Sequence, residues 1–334
     1  MYINQIFKLT MVLDNEKFHK IFKRAYDKAE YMEENESEYI DQSMASKGIV
    51  VKYRNSQYKK KVKVIVNAKL VFDSRETDTE WFIQKLDRRI REYFDFKYQI
   101  NDFNLGGVDL VTDINVGDYE DVLAYLKVLQ RIGKVKGYSP SEYDCFDSRN
   151  SFCLDGNSND IEFLLYDLEG MIVDQLRNTG SDHKKLKSMA KESEGILRAE
   201  VRLAKLKAIR TYTNATDISK QIAVLLENGQ DIFQDVFMQI ILFGDYHKKD
   251  RAVEIIHRDI RDSIMRRKML RLLALVPEKK SLYLAQKVMN CRNIEKIMDM
   301  FAKINVSPIT ISKRHDIKSL ESLYVYFDIG WGSA

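Results

Sequence analysis

The chain has 334 residues, 45% of them apolar and 31% charged, with three prolines and 14 glycines, which gives length for about two packed domains and argues against a fibrous or linker-rich protein. Three cysteines (Cys145, Cys153, Cys291) without CxxC spacing exclude a disulfide framework and point to a reducing compartment. The net charge of +4 is unevenly spread: residues 1–182 carry 26 Lys and Arg against 32 Asp and Glu, a balance of −6, and residues 183–334 carry 28 against 18, a balance of +10.

In chain order, residues 2–13 read as a strand, and residues 15–32 as a helix with Phe18, Ile21, Phe22, Ala25 and Ala29 at helical spacing. The acidic stretch Glu33–Gln42 reads as an exposed helix end or loop. Residues 48–54 and 62–72 read as a hairpin about a polar turn that contains Lys59, Lys60 and Lys61. A helix follows over 78–94, then a turn at Asn104-Leu105-Gly106-Gly107, a strand over 108–116, and a helix over 119–131 capped by Asp118. Residues 143–155 and 160–167 read as a second hairpin, turning on Asp155-Gly156-Asn157-Ser158-Asn159. A lysine-rich helical stretch over 168–193 leads to a last strand, 195–204. From 216 on, six segments show helical periodicity (216–227, 231–243, 246–265, 267–275, 281–289 and 292–303), with Pro277 and Pro308 as breakers. Strand pairs separated by helices predict an α+β fold, an antiparallel or mixed sheet with helices on one face, over residues 1–205. A basic helical domain is expected over 215–334. No apolar run reaches the roughly 18–20 residues of a membrane span and the N-terminus carries no signal-peptide pattern, so a cytoplasmic protein without a membrane partner is expected.

Three strands carry carboxylates inside apolar runs, where an acid is costly unless it is paired or binds a metal. Asp109 and Asp113 share a face of the first strand about 13 Å apart by strand rise, too far to hold one ion on a straight strand. Glu200 lies between Arg198 and Arg202 on one face, so an ion pair and a metal ligand are both open for it. Tyr166 ends the strand 161–167 beside Glu162, Asp167 and Glu169; it is one of 18 tyrosines, most of which such a chain uses for packing. None of the five histidines has HxH or HExxH spacing, and no GxxxxGK[ST] loop is present, which disfavours a zinc hydrolase or an ATP-driven motor. In the rear, Lys248, Lys249, Arg258, Arg266, Arg267 and Lys268 concentrate positive charge suited to phosphates. Residues 281–303 have the outline of a helix-turn-helix, a pattern that any two short packed helices share.

The segments GVDLVTDINVGDYEDVLAYLKVL, SFCLDGNSNDIEFLLYDLEG and ILRAEVRLAKLKAI, in that order, resemble the replication initiators of filamentous phages (the gene II/X family) and, more distantly, the rolling-circle initiators of small plasmids. The resemblance implies a tyrosine, here Tyr166, that nicks one DNA strand and joins the 5′-phosphate, with Mg²⁺ or Mn²⁺ held by Asp109 and Glu200. It implies origin DNA as partner, and a host helicase as a second. The chain departs from those families at Val64, where the plasmid initiators carry Glu, and at Leu168, where a lysine follows the tyrosine. Either Asp113 or Glu162 completes the metal site, or the protein binds DNA without cutting it.

Overall fold

Strands whose apolar residues alternate with polar ones pair into a ten-stranded sheet in which every neighbour is antiparallel. The computed structural model describes residues 2–28, 32–35, 38–56, 59–72, 78–141, 150–179 and 183–327. Strand β1 (Asn4–Leu13) and helix α1 (Asn15–Lys28) are followed by β2 (Met32–Asn35), β3 (Glu38–Asp41) and the hairpin β4 (Ile49–Asn55) and β5 (Lys60–Asn67). Helices α2 (Ala68–Phe72) and α3 (Thr79–Tyr93) lead to β6 (Asn104–Asn115) and α4 (Tyr119–Leu129). Then come β7 (Tyr138–Pro140), β8 (Ser151–Gly156), β9 (Ile161–Asp167), α5 (Leu168–Thr179), α6 (His183–Glu192) and β10 (Ile196–Leu203). The spatial order is β2-β3-β4-β5-β1-β6-β10-β9-β8-β7. The remainder holds α7 (Leu206–Thr213), α8 (Ile218–Ile240), β11 (Tyr246–His247), α9 (Lys249–Asp259), α10 (Ser263–Lys279), α11 (Leu282–Met289), α12 (Ile294–Lys303) and β12 (Ser319–Leu320). The fold is α+β, with the sheet in the N-terminal part and most of the helices in the C-terminal half. No helix among the described residues is long and apolar enough to cross a membrane.

Local chemistry sets most boundaries. Asp78 and Asp118 cap α3 and α4 by accepting from Glu80 N and Asp121 N, and Asp217 caps α8 by accepting from Lys220 N. Several expectations are corrected. The acidic stretch expected as a helix end or loop holds the hairpin β2–β3, whose edge position tolerates charge. The turn expected at 104–107 is the start of β6: its glycines sit where the register with β1 shifts, and a Cβ on Gly106 would lie 3.0 Å from Thr10 Oγ1. Strand β5 stops at Asn67, and 68–72 form α2. The helices expected at 216–227 and 231–243 are the single helix α8, because Gly229 is a place of close approach and no break; a Cβ there would lie 2.6 Å from Gln5 Nε2. Pro277, expected as a breaker, lies inside α10. The expected strand start at 143 falls partly outside the described residues, as does Cys145.

The inner face of the sheet carries Phe7, Leu9, Val64, Leu110, Phe163 and Val201, each at most 1% exposed. Helices α3, α4, α7 and α8 pack over this face. Each such side chain contributes roughly 1.5–3 kcal/mol on burial. The core does not stop at residues 205–215: Phe237 of α8 lies 6.3 Å from Phe163 of β9 and 4.5 Å from Phe327, and Arg131 after α4 donates to Thr310 O at 2.8 Å. The opposite, outer face differs from the expectation of helices on one side alone. There α5 and α6 cover the β9 end through a separate small cluster of Leu164, Tyr166, Leu168, Ile172 and Ala190. That double coverage is why β9 is buried at six of seven positions, where β5 simply alternates.

Candidate active site

Strand register decides which side chains meet on the outer face. Asp109 of β6 pairs with Arg202 of β10, Asp113 with Arg198, and Val111 with Glu200; across the next ladder Arg198 faces Tyr166, Glu200 faces Leu164 and Arg202 faces Glu162. The period-2 pleat therefore brings Asp109, Asp113, Glu162, Tyr166 and Glu200 to one surface, together with both arginines. Lys8 of β1 adds a further cation, one register step from Asp109.

The Tyr166 hydroxyl donates to Glu200 Oε1. The other oxygen of that carboxylate accepts from Arg202 Nε at 2.8 Å and Nη2 at 2.6 Å, and Arg202 Nη1 also lies 3.9 Å from Glu162. Arg198 forms a two-pronged bond to Asp113, Nε to Oδ1 at 2.6 Å and Nη2 to Oδ2 at 2.8 Å. Lys8 Nζ lies 2.6 Å from Asp109. Tyr166 is 3%, Glu200 6% and Asp109 8% exposed. Burial, and then the Glu200 carboxylate, push the Tyr166 phenol well above the usual range. Burial also raises the Asp109 carboxyl, against the pull of Lys8.

The sign of the alkaline response follows. An unfolded phenol ionises near pH 10, whereas folded Tyr166 keeps its proton above that, so the folded state binds more protons there and stability is lost as pH rises past about 10. Urea midpoints measured between about pH 9 and pH 11 should fall faster for the wild type than for Tyr166→Phe. Parallel lines for the two proteins would mean that the phenol ionises freely in the fold.

The carboxylates as arranged do not fit Mg²⁺ or Mn²⁺, which demand near-octahedral oxygen ligands. Glu200 is taken by the phenol and Arg202, Asp113 by Arg198, and Asp109 by Lys8. Among the described residues no three His, Cys, Asp or Glu side chains converge as a metal site would require. The two open readings of Glu200 thus meet an ion pair, with Arg202 and not with Arg198.

The basic residues of the C-terminal helices divide in two. Lys248 Nζ donates to His315 O at 2.7 Å, Arg258 holds Asp259 through two bonds, and Arg266 donates to Ile260 O at 3.2 Å. Lys249, Arg267 and Lys268 close no ion pair among the described residues, Lys249 and Arg267 being exposed and Lys268 half-buried. Tyr246 is fully buried, its hydroxyl without a hydrogen-bond partner among the described residues, and it packs against Tyr125 of α4, away from the outer face. Sequence reasoning passed over Lys8, Lys52, Arg54 and Lys63 and put Lys60 and Lys61 in a turn, whereas both lie in β5; the signal was the i, i+2 spacing of Lys52 with Arg54 and of Lys61 with Lys63. No protein-family model matches the chain, and no curated protein matches it.

Proposed function

We propose that the chain is a DNA replication initiator of the rolling-circle type that cuts one strand through Tyr166. The observation that carries this reading is the phenol donating to Glu200, with Glu200 in turn oriented by Arg202: nucleophile, base and orienting group in hydrogen-bonded sequence. Glu200 takes the phenolic proton as the oxygen attacks phosphorus. The bond from phosphorus to the 3′ oxygen breaks, the 5′-phosphate stays on Tyr166, and the departing oxygen takes a proton from solvent. Arg198 stands opposite Tyr166, and Arg202 lies on the same strand beside Glu200, so that these two guanidinium groups can hold the phosphate as charge develops. The order of the three strand segments in the chain supports the same class, and Lys249, Arg267 and Lys268 offer phosphate contacts away from the sheet.

The burial of Tyr166 beneath Leu168, Ile172 and Ala190 favours a second reading, a DNA-binding protein on the same scaffold that does not cut. The two separate in one assay. The chain is incubated with supercoiled and heat-denatured plasmid carrying its own coding sequence and flanks, with Mn²⁺ present so that the ion implied by the resemblance is on hand. The nuclease reading expects a protein–DNA adduct that survives denaturant and is abolished, at least 100-fold, by Tyr166→Phe. Salt-dependent binding without an adduct leaves the second reading. Absence of binding ends both.

A further inference from the structure

From the like-charge pairs on the open sheet we propose that the outer face of β4, β5 and β1 is a track for single-stranded DNA leading to Tyr166; this rests on the DNA-binding reading above. In register, Lys52 faces Lys63 and Arg54 faces Lys61, and Lys8 follows one row on, opposite Ile65. Like charges directly opposite on a sheet destabilise it, and here two such pairs are stacked on neighbouring rows of one face. Five cations (Lys8, Lys52, Arg54, Lys61, Lys63) meet two carboxylates: Asp109 holds Lys8, and Glu38 lies 3.8 Å from Lys52. Glu38 also faces Arg54 across the β3–β4 ladder, but Arg54, Lys61 and Lys63 close no ion pair among the described residues. Burial, then the charges of Lys8 and Lys52, make the Lys63 ammonium easier to deprotonate, which places these cations in one another's field.

Such a patch costs the fold stability and gains only when an anion sits on it. Its shape selects the anion. From Lys63, Tyr166 lies four inter-strand steps of about 4.8 Å across the sheet and eight residues of about 3.3 Å along the strands, roughly 33 Å on the diagonal. That distance is bridged by several nucleotides of an extended strand. Val50, Ile65 and Ile6 lie half-buried between the lysine rows and Arg202, so apolar surface borders the cations. A single strand can lay base faces on that surface; a duplex keeps its base faces stacked inside.

The test uses the whole chain with a fluorescein-labelled 20-nucleotide oligo(dT) and a labelled 20-base-pair duplex, read by anisotropy from 50 to 200 mM NaCl. The variant Arg54→Gln/Lys61→Gln/Lys63→Gln should bind the single strand at least tenfold more weakly, with a log–log salt slope shallower by about 2, from roughly 0.7 per phosphate contact on single strands. Its duplex affinity should stay within twofold, and its thermal midpoint should not fall, since repulsion has been removed. Lys61→Arg/Lys63→Arg should bind the single strand as the wild type does. Lys63→Gln alone carries the same test at one contact if the triple variant does not fold, with a slope change of about 0.7. Unchanged single-strand affinity and slope in a wild type that does bind DNA would overturn the track while leaving the DNA-binding reading in place. A wild type that binds neither probe overturns both.

Discussion

Replacing Arg202 with alanine is expected to lower the free energy of unfolding by about 2–4 kcal/mol, measured by urea denaturation at pH 7. Breaking one side of a buried pair costs about 3–5 kcal/mol because the surviving charge is left without compensation. The lower figure here allows for the exposure of Arg202, whose side chain is 26% accessible against 8% for Glu200. After the substitution, Glu200 keeps the phenol but loses both guanidinium bonds. Replacing Glu200 and Arg202 together with Met or Leu should recover most of the loss once Tyr166→Phe is added, since the phenol that donates to Glu200 would otherwise lose that acceptor. The same double variant should form no DNA adduct. A cost below about 0.5 kcal/mol for Arg202→Ala would mean that water reaches the pair, and Glu200 would then lose its orienting group as an argument for catalysis.

That contrast between stability and chemistry shows how far the sequence could be read. The alternation Val62, Val64, Val66 announces a strand with one apolar face, and Asp78 and Asp118 announce helix starts, because these depend on residues near each other in the chain. That Asp109 shares a face with Asp113, and Glu200 with both arginines, was legible from the pleat. Which cation meets which acid was not. Arg198 and Arg202 flank Glu200 symmetrically in sequence, and only the register with β6 assigns Arg198 to Asp113 and leaves Arg202 to Glu200. The covering of Tyr166 was hidden for a different reason. The stretch after it is lysine-rich and reads as a solvated helix, yet a few apolar residues, among them Leu168, Ile172 and Ala190, suffice to seat α5 and α6 on the sheet. Gly229 misled in the opposite sense, looking like a break where it allows contact with Gln5.

Phe237→Ala tests whether the sheet and the C-terminal helices share one core, and it should cost about 3–5 kcal/mol, the usual range for truncating a buried phenylalanine. The ring is fully buried, and its neighbours come from three parts of the chain: Phe163 of β9 at 6.3 Å, Phe233 of α8 itself at 6.2 Å, and Tyr324 and Phe327 near the C-terminal end at 5.2 and 4.5 Å. The one hydroxyl on those rings, that of Tyr324, is committed to Ile241 O, so the space stays a void and its lining loses dispersion contacts. Because the packing crosses the expected boundary at residues 205–215, the loss should appear as one transition moved to lower temperature, with sheet and helix signals melting together. With Trp331, the other tryptophan, replaced by Phe, the fluorescence of Trp81 on α3 reports the sheet half alone, while the far-ultraviolet dichroism reports helices throughout the chain. Two transitions, of which only the one not seen by Trp81 responds to Phe237→Ala, would show that residues 215–334 fold as an independent unit and that the contact with Phe163 contributes little. A single shifted transition would mean that the two DNA contacts proposed above, at Lys249, Arg267 and Lys268 and on the sheet, belong to one cooperative body, so that a ligand at either place would stabilise both by mass action.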